Sequence, residues 1–194
     1  MSSLSKGEAT RRRILHEAIA IFGDRGLSAA SLRQIAAAAA LTEPALYRHF
    51  ADKSALYRAA LREAANLLEL CIADTWRETP TVNGLPEVVG NLMQLMILNS
   101  GLAGMTQQLL VAENSELSLR LFNQWTQLGR DLQLNDSPAG NNALVLLNLL
   151  GQITVFEQSR SGLAEYWGQD YFDNSILPAQ REQLRALLRN WMLH

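Results

Sequence analysis

The spacing of apolar residues constrains the fold of this chain more than any other feature of its sequence. Near the start, Ile14, Leu15, Ala18, Ile19 and Phe22 recur at steps of three and four residues, which places them on one side of an α-helix. The same spacing continues along most of the 194 residues. Apolar–polar alternation and clusters of β-branched residues, which are typical of strands, are nearly absent. The sequence therefore predicts an all-α fold of about nine helices.

Residues that favour helix ends divide the first third of the chain. Ser5 with Glu8, and Ser31 with Gln34, have the spacing of a capping box, in which two side chains satisfy free amides at a helix start. Gly26 suits the left-handed backbone that often ends a helix. These residues predict one helix that ends at Gly26 and a second that begins after Ser31.

A tight turn and another short helix follow. Thr42 suits the position just before a helix and Pro44 suits its first turn, so EPALYRHF is predicted to be helical. Asp52 then opens a longer helix that is predicted to reach about Trp76. Two short helices joined by a tight turn form a helix-turn-helix, whose second helix enters the major groove of DNA.

A clear break and a polar loop separate the later helices. ETPTVNGLP at residues 78–86 is rich in helix-breaking residues, and NDSPAGNN at residues 135–142 is predicted to be a loop. The predicted helices cover residues 87–99, 104–112, 116–132 and 143–159, with a last helix from Pro178 to the C-terminus.

Composition excludes several classes of protein. Hydrophobic residues make up 48% of the chain and charged residues 19%, which allows a packed core. No apolar run reaches the roughly 18 residues of a membrane span. The start MSSLSKGEATRRR has no apolar signal segment, so we expect a cytoplasmic protein without a membrane partner. Cys71 is the only cysteine, which excludes an intrachain disulfide and a multi-cysteine zinc site.

Patterns typical of enzymes and metal sites are missing. His16, His49 and His194 are scattered rather than clustered with carboxylates at ligand spacing, which argues against a metal site. The sequence has no glycine-rich phosphate loop and no nucleophile elbow. We therefore expect neither catalytic residues nor a cofactor.

The net charge of −2 hides an uneven distribution. Residues 1–62 hold 10 Lys and Arg against 5 Asp and Glu, whereas residues 63–194 hold 7 against 14. A basic first part and an acidic second part indicate that only the first part meets a polyanion. An ordinary solvated charge pattern would also be compatible with this modest imbalance.

The stretch TRRRILHEAIAIFGDRGLSAASLRQIAAAAALTEPALYRHFADKSALYRAAL closely resembles the N-terminal domain of the TetR family of bacterial regulators. The resemblance covers about the first third of the chain, and the LYRHF ending is its most specific part. It implies a helix-turn-helix DNA-binding domain over residues 1–52 and a helical dimerisation and effector-binding domain over residues 53–194. One departure is Ala40, where the family usually has Gly. A left-handed backbone there would cost roughly 1 kcal/mol relative to Gly.

The predicted DNA-binding residues fall into two groups. The resemblance implies phosphate contacts from Tyr47, His49 and Lys53, and the start of the supporting helix suits Ser31 and Arg33 for the same role. The residues nearer the base edges are Thr42, Glu43, Pro44, Ala45 and Arg48.

Base readout would come from a few of these side chains. Arg48 suits bidentate readout of a guanine, and Pro44 and Ala45 suit contact with a thymine methyl group. Leu46 and Phe50 lie on the opposite face. They are expected to pack in the small core that holds this helix, together with Ile19, Phe22, Ile35, Ala36 and Leu41. Arg11, Arg12 and Arg13 either approach the flanking DNA backbone or form a solvated helix end.

The second part of the chain carries less specific patterns. Polar residues within apolar helices, beside methionines and aromatics, indicate a small-molecule pocket, although the same pattern is typical of core. The pocket candidates are Met93, Met96, Met105, Gln108, Phe122, Trp125, Gln152 and Phe156. Apolar stripes on the last two long helices favour pairing across a two-fold axis or intrachain packing. The dimerisation candidates are Leu146, Leu150, Leu184, Leu187, Leu188 and Trp191.

The sequence favours a homodimeric repressor that binds a double-stranded, palindromic DNA operator and is released by a small-molecule effector. Two alternatives stay open. One is a DNA-binding dimer that is independent of a ligand or controlled by a partner protein, and the other is a helical enzyme or interaction module.

Overall fold

The computed structural model describes residues 5–81, 84–111, 116–131 and 139–192, without the side chains of residues 85, 125, 128–131, 139–147, 177 and 188–192. Within these ranges the chain is helical and contains no strand, which confirms the all-α prediction. The helices are α1 (Lys6–Ala29), α2 (Leu32–Ala38), α3 (Glu43–Tyr47), α4 (Lys53–Glu78), α5 (Gly84–Leu98), α6 (Leu102–Val111), α7 (Glu116–Asp131), α8 (Ala139–Trp167), α9 (Gln169–Tyr171) and α10 (Leu177–Met192), with a π-helical turn at Phe172–Ile176.

Side chains cap two of the four helix starts predicted in the first third of the chain, those at Ser5 and Asp52, whereas Thr42 precedes α3 as predicted without a side-chain capping bond. The Ser5 hydroxyl accepts from the Glu8 amide (3.2 Å), and the Glu8 carboxylate accepts from the Ser5 amide (2.8 Å), which completes the predicted capping box. Asp52 caps α4 by accepting from the Ala55 amide (2.6 Å). The capping box predicted at Ser31 is wrong, because its side chain makes no capping hydrogen bond. A backbone bond from Ile35 N to Ser31 O (3.1 Å) closes that turn instead.

Gly26 has a positive φ of 71°, as expected, but the chain resumes a helical turn beyond it. Gly26 is therefore a kink within α1 rather than its end. The Ala30 amide donates back to the Gly26 carbonyl (3.3 Å) and closes the helix after this kink.

The long helix α8 extends beyond its predicted bounds at both ends. It begins at Ala139, inside the loop predicted over residues 135–142, and residues 132–138 lie outside the described residues. It continues to Trp167 because nothing in the sequence interrupts it before Gly168, which has a positive φ of 86°. The π-helical turn that follows was not predicted. Its Phe172 is fully buried and stacks on Phe156, with ring centroids 5.8 Å apart.

Buried apolar side chains form one continuous cluster, from Ile14 in α1 to Leu184 in α10. Among the described residues no single helix has the length and hydropathy of a membrane span. The segments Pro86–Leu98 and Leu102–Val111 reach those values only as a pair, and they are bent by 117° relative to each other.

Helices α1 and α6 meet through their backbones at three glycines. A Cβ atom on Gly23 would overlap the Gly101 carbonyl, and a Cβ on Gly104 would overlap the Gly23 carbonyl. Gly101 has a positive φ of 77°, and a Cβ there would overlap the Ile19 carbonyl. We call Gly23, Gly101 and Gly104 the glycine seam. It fixes the first part of the chain against the second at a separation that no larger residue permits.

The glycine seam generates a stability prediction. We expect Gly23→Ala to lower the free energy of unfolding by about 1–3 kcal/mol, because the added methyl group must push two backbones apart. Gly162→Ala, with nothing within 4 Å of the new Cβ in the exposed part of α8, should raise it by about 0.5–1 kcal/mol. Urea unfolding of the two variants and the parent chain measures both effects. A Gly23→Ala chain as stable as the parent would contradict the seam.

Candidate nucleic-acid interface

Two buried anchors hold the short helix α3. Leu46 is fully buried within α3 and Phe50 is almost fully buried just after it. They belong to the same apolar cluster as Ile19, Phe22 and Ile35 from α1 and α2. A five-residue helix is not stable alone, so its orientation depends on this packing. The predicted small core therefore forms, with Leu41 half-buried at its edge.

The turn between α2 and α3 places Ala40 in the left-handed region, with φ of 52°. The Leu41 amide donates to the Ala36 carbonyl (2.8 Å) and the Ala40 amide donates to the Ala37 carbonyl (3.0 Å). These two bonds form a Schellman motif, which usually has Gly at the left-handed position. The departure seen in the sequence thus leaves the turn intact but places a methyl group where it is sterically disfavoured.

The ten side chains predicted to bind DNA are exposed or half-buried. Tyr47 is 48% exposed, and Arg48 is exposed at the end of α3. Of the other predicted DNA-binding residues, Arg33, Thr42 and Pro44 are exposed, while Ser31, Glu43, Ala45, His49 and Lys53 are half-buried. The fold thus brings these ten residues to α3 and to the adjoining helix starts. Their contacts with DNA stay predictions.

Two contacts that the sequence did not predict brace this region. The Arg11 guanidinium lies 4.4 Å from the centre of the Phe50 ring, which joins the start of α1 to the end of α3. The Lys53 ammonium donates to the Ser28 carbonyl (3.1 Å) and uses one of its three hydrogens. Its other two hydrogens are compatible with the expected phosphate contact.

A hydrogen-bonded junction links this region to the second part of the chain. The Gln108 side chain on α6 donates to the Phe22 carbonyl on α1 (2.8 Å) and accepts from the Tyr57 hydroxyl on α4 (2.8 Å). The Tyr57 ring packs edge-on against Phe22, with centroids 5.2 Å apart, and burial raises the pKa of Tyr57. Gln108 was predicted as a pocket residue, and it also holds three helices together.

The other predicted pocket residues occupy different environments. Met93, Met96 and Met105 are buried core residues, and Phe122 and Phe156 are half-buried against that core. Gln152 is exposed, and the side chain of Trp125 lies outside the described residues. Met96 and Gln108 share one cavity wall, and Met93 lines a second cavity. Their binding of an effector stays a prediction.

The predicted dimerisation residues are only partly described. Leu150 in α8 and Leu184 in α10 are buried within the chain, and Leu187 is 43% exposed. The side chains of Leu146, Leu188 and Trp191 lie outside the described residues.

Reactive and metal-binding groups are sparse in the described part of the chain. No group of three or more His, Cys, Asp or Glu there is placed to hold a metal ion. Burial raises the pKa of the Cys71 thiol, which keeps the group protonated and weakly nucleophilic near neutral pH.

Comparison with known proteins finds a family match in the first third of the chain. Residues 14–60 match the family model described as bacterial regulatory proteins, tetR family. The sequence similarity to this family lies in the first third of the chain. The chain is 46% identical over 59 residues to the HTH-type transcriptional regulator AcrR of Shigella flexneri. That match covers 29% of this chain and 27% of AcrR, so the chain aligns with about a quarter of that relative's length.

Solved structures extend the similarity in fold over nearly the whole chain. The fatty acid degradation regulator FadR from Bacillus halodurans superposes with a TM-score of 0.68 at 18% identity, over 91% of this chain and 96% of FadR. FadR from Bacillus subtilis in complex with stearoyl-CoA superposes with a TM-score of 0.64 at 17% identity, over 91% and 96%. The matched family is one of regulatory proteins, in agreement with the expectation that the chain is not an enzyme.

The strained turn at Ala40 generates a second stability prediction. Ala40→Gly should raise the free energy of unfolding by up to about 1 kcal/mol, because Gly removes the steric cost of the left-handed backbone. Ala37→Gly, at an exposed helical position three residues earlier, should lower it by about 1 kcal/mol. Denaturant unfolding of both variants measures this difference in sign. Equal destabilisation by the two glycines would show that position 40 is not left-handed.

Proposed function

We propose that the chain is a homodimeric, sequence-specific DNA-binding regulator of transcription in the cytoplasm. Residues 1–52 would read DNA, and residues 53–194 would hold the dimer interface and an effector site. The observation that carries this proposal is the outward-facing surface formed by Thr42, Pro44, Tyr47 and Arg48, which two buried anchors hold in a fixed orientation. It lies in the basic part of the chain, which suits a polyanionic partner.

The two groups of predicted DNA-binding side chains suit different parts of a duplex. Tyr47, His49 and Lys53 would hydrogen-bond phosphate oxygens, which sets the position of α3 in the groove but carries no sequence information. Arg48 would donate two hydrogen bonds to the O6 and N7 atoms of a guanine, which does carry sequence information. Arg33 and Ser31, at the start of α2, would add phosphate contacts on the flank of the site.

A dimer would present two such surfaces. We propose that α8 and α10 pair with their copies across a two-fold axis, as in a four-helix bundle. Apolar side chains left exposed on both helices, Val155 at 58% and Leu187 at 43%, support this arrangement. Two α3 helices about 34–36 Å apart would enter successive major grooves, so the operator would be an inverted repeat.

We propose that the chain represses transcription and that a small molecule releases it from the operator. The stearoyl-CoA complex of the structurally similar FadR supports an effector site in a protein of this fold. The ligand must bind the released conformation more tightly than the DNA-bound one, since a ligand with equal affinity for both shifts nothing.

Selection of binding sites from random duplex DNA, followed by salt titration, tests the DNA-binding part of this proposal. The expected result is an enriched inverted repeat whose binding weakens steeply as salt rises, by roughly 0.9 log units per log unit of salt for each phosphate contact. Absence of any enriched sequence at low salt would reject a DNA-reading function. An enriched sequence without two-fold symmetry would reject the dimeric arrangement.

Arg48→Ala tests base readout on the selected operator. We expect it to weaken operator binding by about 1–3 kcal/mol and to relax the sequence preference at the contacted base pair. The matched control is Arg77→Ala at the far end of α4, where an exposed arginine pairs with Asp74 (3.0 Å). Fluorescence anisotropy on the operator and on single-base variants measures both effects. Unchanged affinity and preference in Arg48→Ala would remove Arg48 from the reading surface.

A further inference from the structure

A cavity of about 1110 Å³ lies where the two parts of the chain meet. Its walls are the end of α1 around Gly23 and Arg25, the junction between α5 and α6 around Gly101, and the face of α8 that carries Glu157 and Arg160. A hydrogen bond from Gln158 to Gln107 (2.7 Å) joins α8 to α6 at this wall. All three residues of the glycine seam, Gly23, Gly101 and Gly104, line the cavity.

Glu157 is the polar group in this cavity whose bonding is incomplete. Its side chain is only 6% exposed, and its Oε1 atom is buried without a hydrogen-bond partner among the described residues. The nearest cation is Arg160, whose Nη1 lies 3.8 Å from Glu157 Oε2, which is too long for a hydrogen bond. Burial raises the pKa of Glu157, in keeping with a carboxylate that lacks adequate compensation. Buried acceptors of this kind are uncommon in folded proteins because they are costly.

The arginines of the cavity already have anionic partners. Arg25 pairs with Asp24 (3.4 Å), and Arg160 pairs with Asp173 (3.4 Å) as well as approaching Glu157. The cavity therefore lacks a hydrogen-bond donor or a positive charge beside Glu157, and it does not lack an anion. A planar group with two parallel N–H donors would satisfy both the charge and the geometry of a carboxylate.

We propose that this cavity is a binding site for a compact organic cation with N–H donors, such as an amidine or a guanidine, and that Glu157 is its counter-charge. The ligand would replace the missing hydrogen bond at Oε1 and neutralise the buried carboxylate. Because the cavity wall includes the end of α1, the bound cation would also contact a helix whose buried side chains share one apolar cluster with Leu46 of α3. This regulatory consequence rests on the proposed function, whereas binding of the cation does not.

Isothermal titration of the full chain without DNA tests the site. The probes are 4-aminobenzamidine, agmatine and the neutral analogue 4-aminobenzamide, and 4-aminobenzamidine binding is followed in parallel by its fluorescence. We expect saturable binding of at least one cation, and no binding of the neutral amide. The absence of saturable binding by either cation, or equal binding of the amide, would overturn the proposal.

Two matched variants locate the binding. Glu157→Gln should weaken binding of the cation by about tenfold or more, because it removes the charge and leaves a similar shape. Glu165→Gln, an exposed position on the same helix, should leave binding unchanged. The Glu157→Gln chain should melt at or above the temperature of the parent, which a thermal scan checks independently of binding. Parent-like affinity in a folded Glu157→Gln chain would overturn the role of Glu157.

Operator binding in the presence of the cation separates this inference from the proposed function. A shift of operator affinity that Glu157→Gln abolishes would support both. Cation binding without any shift would retain the site and overturn its regulatory consequence. Cation binding by a chain that selects no DNA sequence would retain the site while the proposed function fails.

Discussion

The contact on which the rest of the structure depends is the backbone approach of α1 to α6 at the glycine seam. Gly23, Gly101 and Gly104 leave no side chain between the two helices, so neither helix can shift without moving the other. Gln108 reinforces the approach by bonding the α1 backbone and Tyr57 at once. The surface that we propose reads DNA is therefore joined to the second part of the chain by a close backbone contact and not by a linker.

Two local features reduce stability at places where function is proposed. Ala40 adopts a left-handed backbone at the turn that aims α3, and Glu157 buries a carboxylate without a full set of hydrogen bonds. Neither feature is needed to build the core, which closes through apolar residues. Backbone strain and buried polar atoms without hydrogen bonds are concentrated at binding sites, because a ligand or partner compensates for their cost.

The sequence predicts local features of the fold better than it predicts contacts between residues that are far apart in the chain. Asp52 and the pair of Leu46 and Phe50 behave as their spacing indicates, because caps and helix faces are local properties. Gly26 has the expected positive φ but does not end its helix. The hydrogen bond from Gln108 to the Phe22 carbonyl joins residues 86 positions apart, and no residue spacing in the sequence indicates it. The glycine seam and the Arg11 contact with Phe50 depend equally on tertiary packing.

Photocrosslinking tests most directly whether the surface of α3 meets DNA. A photoreactive benzoyl-phenylalanine is placed at Tyr47 in one chain and at Tyr166 in another, since Tyr166 is 81% exposed on α8 and distant in sequence. Both chains are irradiated on selected operator duplex. If the surface of α3 meets DNA, position 47 gives a protein–DNA adduct and position 166 gives none. Adducts from position 166 alone, or equal adducts from both positions, would show that it does not.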